Sequence, residues 1–279
     1  FGSGAEYAEF VDLNKLGAVV TKGVANVPWP GNPTPRVAEV YGGMLNAVGL
    51  QNPGIDLFVE RDIPFLKQFD TKIMVNVCGH STEEYIEVVE RLRDQPVDLL
   101  EINISCPNVK EGGIAFGQDP KAVEAITKEM KKHAAQPVIM KLSPNVTDIT
   151  EMARAAEAGG ADGLSLINTI TGMKIDINRQ KFVLANKTGG MSGPAIHPVA
   201  VRMVYQTAQA VSIPIVGMGG IMNAEDAIEM ILAGATAVSV GTANFTNPHV
   251  TEEIVAGIRD YMERYQVADI RDLVGAVHE

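Results

Sequence analysis

A cysteine follows directly after an apolar segment that also carries two polar side chains. Residues 99–104 are apolar enough for a buried strand, although Glu101 and Asn103 would be costly in a purely apolar core. Pro107 removes a ladder donor and restricts Cys106 before it, so we expect the strand to end here. A thiol presented at a strand end can act as a nucleophile or, beside a cation, as a general base. A buried structural cysteine followed by a turn is the alternative.

Other predicted strands also carry polar residues near their ends. Lys141 lies in the run Val-Ile-Met-Lys-Leu, where an uncompensated charge is costly, so it needs an anionic or hydrogen-bonding partner unless it reaches out over the rim. Asn76, Asn103 and Asn168 each offer two donors and one acceptor, which suits the edge of a planar heterocycle. Strand termination explains a single asparagine equally well. Together with Lys22, however, these residues predict a polar pocket.

Two glycine-bearing turns predict a phosphate site. Gly219 and Gly220 follow one apolar run and lead into a helix, and Gly241-Thr242 does the same after the next run. Glycine lets backbone amides approach an anion closely, and the amino terminus of a helix favours negative charge. Either turn alone is weak evidence. As a pair at the last two strands, they match the recurrent phosphate site of (β/α)8 barrels.

The elements that position these residues alternate between strand and helix. Short apolar runs predict seven strands, typical of parallel strands buried on both faces, at 18–22, 73–77, 99–104, 138–142, 163–168, 213–217 and 237–241. Helical patterns cover 82–93, a segment opening at Asp119-Pro120, 147–158, 198–210, 223–232 and 251–265. Such alternation predicts an α/β fold with a parallel sheet, either open and doubly wound or closed as a TIM barrel.

We favour the (β/α)8 TIM barrel. The sequence opens with Phe1-Gly2-Ser3-Gly4, a glycine loop leading into a helical run at 6–12, as expected if a first strand lies upstream of residue 1. No segment resembles a linker, so residues 1–279 are expected to form a single domain, incomplete at its amino end. Two long connections, 23–72 and 169–197, follow strands and are expected on the functional face; the second should contain a hairpin around Asn178-Arg179.

Composition excludes several classes of function. The net charge of -11 argues against binding to nucleic acid or to an anionic membrane surface. The sequence has no apolar run long enough to span a bilayer and no signal-peptide pattern. Two cysteines beside 12 methionines indicate a reducing compartment. The cysteines lack metal-ligand spacing and the five histidines do not cluster, so we predict no metal site.

Several motifs together resemble the dihydroorotate dehydrogenase family. They are NISCPNVKEGGIAFG at 103–117, KLSPN at 141–145, INT at 167–169, ANKTGGMSGPAI at 185–196, GMGGI at 217–221 and VGTANF at 240–245. GNPTPRVAE at 31–39 and MLNAVGLQNPG at 44–54 also fit. The resemblance covers nearly the whole chain. It is greatest to the class 1 enzymes and, among them, to the NAD-linked class 1B catalytic subunit. The family's first strand and its flavin-contacting Ser-Gly turn have no counterpart here.

The resemblance implies an FMN-dependent oxidation of (S)-dihydroorotate to orotate in pyrimidine biosynthesis. Cys106 is then the general base at carbon 5, while a hydride leaves carbon 6 for flavin N5. The residues expected to bind FMN are Asn76, Asn103, Lys141, Ile167, Gly193, Gly219, Gly220, Gly241 and Thr242. Those expected to bind the substrate are Lys22, Asn46, Gly49, Leu50, Asn103, Asn168 and Thr169. The loop at 107–118 is expected to close over the substrate.

The resemblance also implies partners. We expect a cytoplasmic homodimer joined by an electron-transfer subunit carrying FAD and an iron–sulfur cluster, which makes a heterotetramer passing electrons to NAD. Other interpretations stay open: a fumarate-linked class 1A enzyme, a dihydropyrimidine reductase-like barrel, an aldolase forming a Schiff base on Lys141, or a non-catalytic binder of a phosphate ligand.

Overall fold

The computed structural model describes residues 2–105 and 113–278. Cys106, the predicted general base, and residues 107–112 of the predicted covering loop lie outside these ranges.

The described residues form thirteen strands, which we number in chain order. They are β1 Ala18–Val20, β2 Val37–Val40, β3 Gly43–Asn46, β4 Lys72–Val77, β5 Leu99–Asn103, β6 Val138–Lys141, β7 Gly163–Leu166, β8 Ile170–Met173, β9 Ile175–Asp176, β10 Lys181–Phe182, β11 Thr188–Ser192, β12 Ile215–Met218 and β13 Ala237–Ser239.

The α-helices are numbered in the same way. They are α1 Ala5–Ala8, α2 Ile55–Leu57, α3 Ile63–Leu66, α4 Thr82–Leu92, α5 Pro120–His133, α6 Ile149–Ala158, α7 His197–Ala208, α8 Ala224–Leu232, α9 Ala243–Thr246 and α10 Val250–Arg264. Among the described residues, no helix is both long enough and apolar enough to cross a membrane.

Seven strands pair in parallel, in the order β1-β4-β5-β6-β7-β12-β13, and all seven are strands that the sequence predicts. Helices follow most of these strands, and one large apolar cluster joins sheet and helices. The parallel strands follow one another in chain order, as they do in a TIM barrel, so the TIM-barrel fold class is confirmed. Within the described ranges β1 and β13 are the two edges of the sheet. The eighth strand expected upstream stays a prediction.

Local chemistry explains where the main helices begin. The Ser81 side chain accepts a hydrogen bond from the backbone N–H of Glu84, which starts α4 where the sequence predicts it. Asp119 caps α5, with Pro120 in the first turn, and Asn223 caps α8 by accepting from the N–H of Asp226. Because each of these helices follows a parallel strand, its capped start lies on the same face as the carboxyl ends of the strands.

The helix predicted at 6–12 is shorter than expected. The structure has α1 at Ala5–Ala8 and then a 3-10 turn at Leu13–Lys15. Asp12 adopts an extended conformation, and its carboxylate accepts from the backbone N–H of Asn14. This local bond competes with continuation of the α-helix.

The two long connections build a second sheet beside the barrel. Strands β2, β3, β11 and β8 pair antiparallel in the order β2-β3-β11-β8, drawing two strands from each connection. The hairpin expected around Asn178-Arg179 is confirmed, since β9 and β10 pair antiparallel across it. Asn46 at the end of β3 faces Gly190 of β11 in this register. The second sheet thus brings residues from two distant segments to the mouth of the barrel.

Candidate active site

A cavity of about 1410 Å³ extends across the strand ends and along β1 and β13. Drug-sized ligands occupy pockets of about 300–1,000 Å³, so it can hold a cofactor together with a second small molecule. Fourteen of the predicted site residues line it: Lys22, Asn46, Leu50, Asn76, Asn103, Lys141, Ile167, Asn168, Thr169, Gly193, Gly219, Gly220, Gly241 and Thr242. Residues predicted from strand ends and from the family resemblance, although spread over the chain, therefore converge on one space.

Gly49 differs from the other predicted substrate residues. It is buried but is not among the described residues that line the cavity. A Cβ on Gly49 would lie 2.6 Å from the side-chain nitrogen of Asn32, and its φ is +74°. The structure therefore explains a glycine here by backbone conformation and packing, and a role in binding substrate stays a prediction.

Lys141 has the anionic partner that its position in an apolar strand requires. Its Nζ lies 3.3 Å from Oε2 of Glu101 on the neighbouring strand β5. The Lys141 side chain is 15% exposed, whereas that of Glu101 is fully buried. The parallel register explains the pair, because Lys141 stands opposite Asn103 and Glu101 lies two residues earlier on the same face. The charge of Lys141, which faces the cavity, is thus balanced by a carboxylate buried within the protein.

Amide side chains extend this pair into a chain of hydrogen bonds. Asn76 donates to the same Oε2 of Glu101, and Asn103 donates to Oδ1 of Asn76 at 3.2 Å. Oδ1 of Asn103 accepts from the N–H and the hydroxyl of Ser105, at 3.3 and 3.1 Å. Asn168 donates to the Ser105 hydroxyl at 2.7 Å. The ends of β4, β5 and β6 and the residues after β5 and β7 are therefore linked side by side.

A buried tyrosine fixes the end of β5 from outside the barrel. The Tyr85 hydroxyl on α4 donates to the backbone carbonyl of Asn103 at 2.7 Å, and its side chain has no exposure to solvent. A buried phenol needs such a partner. The bond holds the strand end that leads directly to Ser105 and Cys106.

Three glycines that line the cavity form a close-packed cradle. Gly193, Gly219 and Gly220 all have positive φ values, of 110°, 130° and 70°. A Cβ on Gly193 would lie 2.6 Å from Cα of Gly43, and one on Gly220 would lie 2.8 Å from the carbonyl oxygen of Gly193. Only glycine adopts these conformations without strain and leaves its backbone N–H open to a ligand.

Side chains around the cradle hold its loops together. Thr242 Oγ1 donates to the hydroxyl of Ser192 at 2.7 Å, which joins the turn after β13 to the end of β11. His197 at the start of α7 contacts the carbonyl of Gly219 through Nδ1 at 2.9 Å and the carboxylate of Glu229 through Nε2 at 3.1 Å. Backbone amides, hydroxyls and a helix start suit a phosphate group. The donor set and the glycine cradle therefore fit a phosphate-bearing cofactor such as FMN.

The predicted substrate residues line a part of the cavity bordered by the second sheet. Asn46 donates to the carbonyl of Gly190 at 3.5 Å, although the two residues are 144 positions apart. The Asn145 amide donates to the Thr169 carbonyl at 3.0 Å, and Thr169 N–H donates to Oδ1 of Asn168 at 2.7 Å. These contacts orient Asn168 and Thr169 before any ligand binds.

Tyr7 lines the cavity as well. Burial, reinforced by the negative charge of Glu6, raises the pKa of Tyr7 far above its usual range, so its phenol stays protonated and neutral.

Sequence reasoning did not assign a site role to Glu101, Asn145 or His197. For Glu101 a signal was present, because a carboxylate in an apolar strand needs a compensating cation. Asn145 lies in a turn after a strand, where asparagine is common for local reasons. His197 acts through a carbonyl and a carboxylate supplied by other segments, and nothing in the linear sequence indicates those partners.

Comparisons with known proteins agree with this geometry. The family model described as dihydroorotate dehydrogenase matches residues 1–262. A protein of Lachnoclostridium phytofermentans named dihydroorotate dehydrogenase B (NAD(+)), catalytic subunit, is 72% identical over 277 residues, covering 99% of this chain and 92% of that protein. Proteins of the same name from Alkaliphilus metalliredigens and Desulforamulus reducens are 64% and 56% identical, covering 99% and 100% of this chain and 92% of each relative.

We predict that Gly193→Ala destabilises the protein by about 1–3 kcal/mol, because alanine is strained at this φ and its Cβ meets the backbone of Gly43. Urea unfolding monitored by circular dichroism measures the change. Gly17→Ala is the matched control, since a Cβ there has no heavy atom within 4 Å; its stability should stay within about 1 kcal/mol of wild type. Equal losses in both variants would contradict the cradle.

Proposed function

The chain belongs to the dihydroorotate dehydrogenase family, in its class 1B, and on that premise we propose that it oxidises (S)-dihydroorotate to orotate with a bound FMN, as the dehydrogenase step of de novo pyrimidine synthesis. The observation that carries the proposal is the single cavity lined both by the glycine cradle and by Lys141 and Lys22. One space thus offers donors suited to a phosphate, a partly buried cation and a second cation for an anionic substrate.

We assign the cofactor to residues already shown to line this cavity. The backbones of Gly193, Gly219 and Gly220, with Gly241 and Thr242, would hold the phosphate, and Lys141 and Asn76 would face the ring system together with Asn103 and Ile167. When bound, FMN supplies the acceptor for the two electrons that leave the substrate. The role of these protein groups is to orient the ring and to set the charge around it.

The substrate is an anion with a planar ring of amide-like groups, and the remaining lining residues suit it. Lys22 would pair with its carboxylate, and Asn46, Asn168 and Thr169 would meet its ring nitrogens and carbonyl oxygens. The hydrogen bonds that already fix Asn168 and Thr169 reduce the ordering required on binding.

Cys106 is proposed as the general base on family resemblance, since it lies outside the described residues. Its thiolate would take the proton from carbon 5 while the carbon 6–hydrogen bond breaks with its electron pair, which leaves a carbon 5–carbon 6 double bond. The described residue before it supports this role, because Ser105 is held by Asn103 and Asn168, which both line the cavity.

The Schiff-base alternative is disfavoured by the contact that Lys141 makes. A Schiff-base lysine needs its amine free to attack a carbonyl, whereas Nζ of Lys141 is held by the carboxylate of Glu101 at 3.3 Å. Family membership also favours oxidation over aldol chemistry.

We predict that the FMN-loaded protein is reduced by dihydroorotate and not by dihydrouracil, which lacks the carboxylate. Lys22→Gln should weaken orotate binding roughly tenfold or more, the loss expected for a charged hydrogen bond, with a smaller effect on the rate at saturation. Flavin absorbance and orotate titration measure both quantities. Lys121→Gln, an exposed lysine on α5, is the control. Equal reduction by both substrates would instead support the dihydropyrimidine alternative.

We predict that Cys106→Ala reduces turnover by at least about 100-fold while FMN and orotate still bind, because a general base contributes roughly that much or more. Stopped-flow reduction of the flavin measures the rate. The chain's other cysteine supplies the matched control: Cys78 is fully buried in an apolar cluster, and Cys78→Ala should affect stability more than rate. A Cys106→Ala protein with undiminished turnover would exclude the base.

We propose that electrons leave for NAD through a second subunit carrying FAD and an iron–sulfur cluster, in a cytoplasmic heterotetramer built on a homodimer of this chain. The relatives' names support this, because they describe a catalytic subunit of an NAD(+) enzyme. The chain's two cysteines are too few to ligate a cluster by themselves.

We predict that the isolated chain, loaded with FMN, reduces NAD with dihydroorotate only after the partner subunit is added. Absorbance at the nicotinamide band measures the reaction. If the isolated chain instead reduces fumarate efficiently and NAD reduction stays absent with the partner, the enzyme belongs functionally with class 1A.

A further inference from the structure

Glu101 is a charged side chain without access to solvent or to the cavity. It lies on β5 with no exposed surface, and it is not among the described residues that line the cavity. Both of its side-chain partners, Asn76 and Lys141, do line it. Burying a carboxylate is costly unless a cation and hydrogen bonds compensate it. Glu101 therefore stands one layer behind the surface that a ligand meets.

The two oxygens of this carboxylate have different surroundings. Oε2 receives the amide of Asn76 and the ammonium of Lys141 at 3.3 Å. Oε1 is buried and has no hydrogen-bond partner among the described residues. Among the described residues, the cation paired with Glu101 is thus Lys141.

We propose that Glu101 is a positioning residue that lowers the reduction potential of the bound flavin by partly cancelling the charge of Lys141. The inference rests on the proposed function, since it requires FMN in this cavity. Two electrons and one proton convert the oxidised ring into an anionic reduced ring. Lys141 stabilises that negative charge, and Glu101 directly behind it opposes the same charge, while the uncharged oxidised ring responds little to either.

The consequence concerns electron transfer out of the flavin. A fully uncompensated lysine would stabilise the reduced ring strongly and make it a poor electron donor in a transfer chain that ends at a weak oxidant such as NAD. Glu101 also fixes where the cation stands, because Lys141 and Asn76 bind the same oxygen. Glu101 never touches the ring and acts only through its neighbours.

The test is the midpoint potential of bound FMN, measured by chemical reductive titration against reference dyes. Glu101→Gln keeps the shape and removes the charge. We expect it to strengthen binding of reduced relative to oxidised FMN at least tenfold, which for a two-electron couple raises the potential by about 30 mV. A potential that is unchanged or lower in Glu101→Gln would overturn the proposal.

A double-mutant cycle separates action through Lys141 from a general charge effect. Lys141→Met should lower the potential, and Glu101→Gln should add little in that background, because no cation is left there for Glu101 to offset or to hold in place. An undiminished rise in the Lys141→Met background would refute action through Lys141. Glu157→Gln on α6, which removes a half-buried carboxylate that accepts from Ser212 and does not line the cavity, is the charge-matched control and should leave the potential unchanged.

A second variant covers the case in which Glu101→Gln does not fold. Glu101→Asp keeps the charge but draws it away from Lys141, so the midpoint potential should rise by less than the roughly 30 mV that corresponds to a tenfold change. An unchanged or lower potential in Glu101→Asp overturns the proposal. Chemical reduction also separates this inference from the proposed function. If the wild-type protein binds FMN but is not reduced by dihydroorotate, the substrate assignment is wrong. The midpoint potentials of the wild type and the variants still decide the role of Glu101.

Discussion

The ion pair between the buried Glu101 and the partly buried Lys141 is the contact on which the rest of the site depends. Two charged side chains in the middle of a parallel sheet are each costly alone, and together they are tolerated because they share one hydrogen-bonded network. The register of β5 and β6 brings them together, and both neighbouring asparagines take their orientation from the same network. The pair thus sets the position and the charge of the groups that face the cavity.

The two sheets around this pair supply different parts of the site. The parallel sheet supplies the charged and amide residues at its strand ends and, after β12 and β13, the glycine turns suited to phosphate. The antiparallel sheet, built from the two long connections, adds Asn46 and closes one side of the cavity. Gly193 at the end of β11 joins both, because it belongs to the second sheet's connection and packs against Gly220 of the first.

Much of this could be predicted from the sequence, for identifiable reasons. Runs of Val, Ile, Leu and Met report burial on both faces, so all seven parallel strands were predictable. Ser81, Asp119 and Asn223 act on their own helix ends, so their caps were visible locally. The helix at 6–12 was overestimated because its periodic pattern continues past the point where Asp12 bonds to Asn14 instead.

The sequence by itself determined the order of elements, the polar strand ends and the glycine turns after the last two strands, since each depends on neighbours within a few residues. It also required a partner for Lys141 without naming one. Only the tertiary structure decided that the partner is Glu101, 40 positions away, that Asn46 meets Gly190, and that His197 holds the Gly219 carbonyl. The physical reason is that periodicity reports which face of an element is buried, whereas strand register and loop packing decide which polar groups meet there.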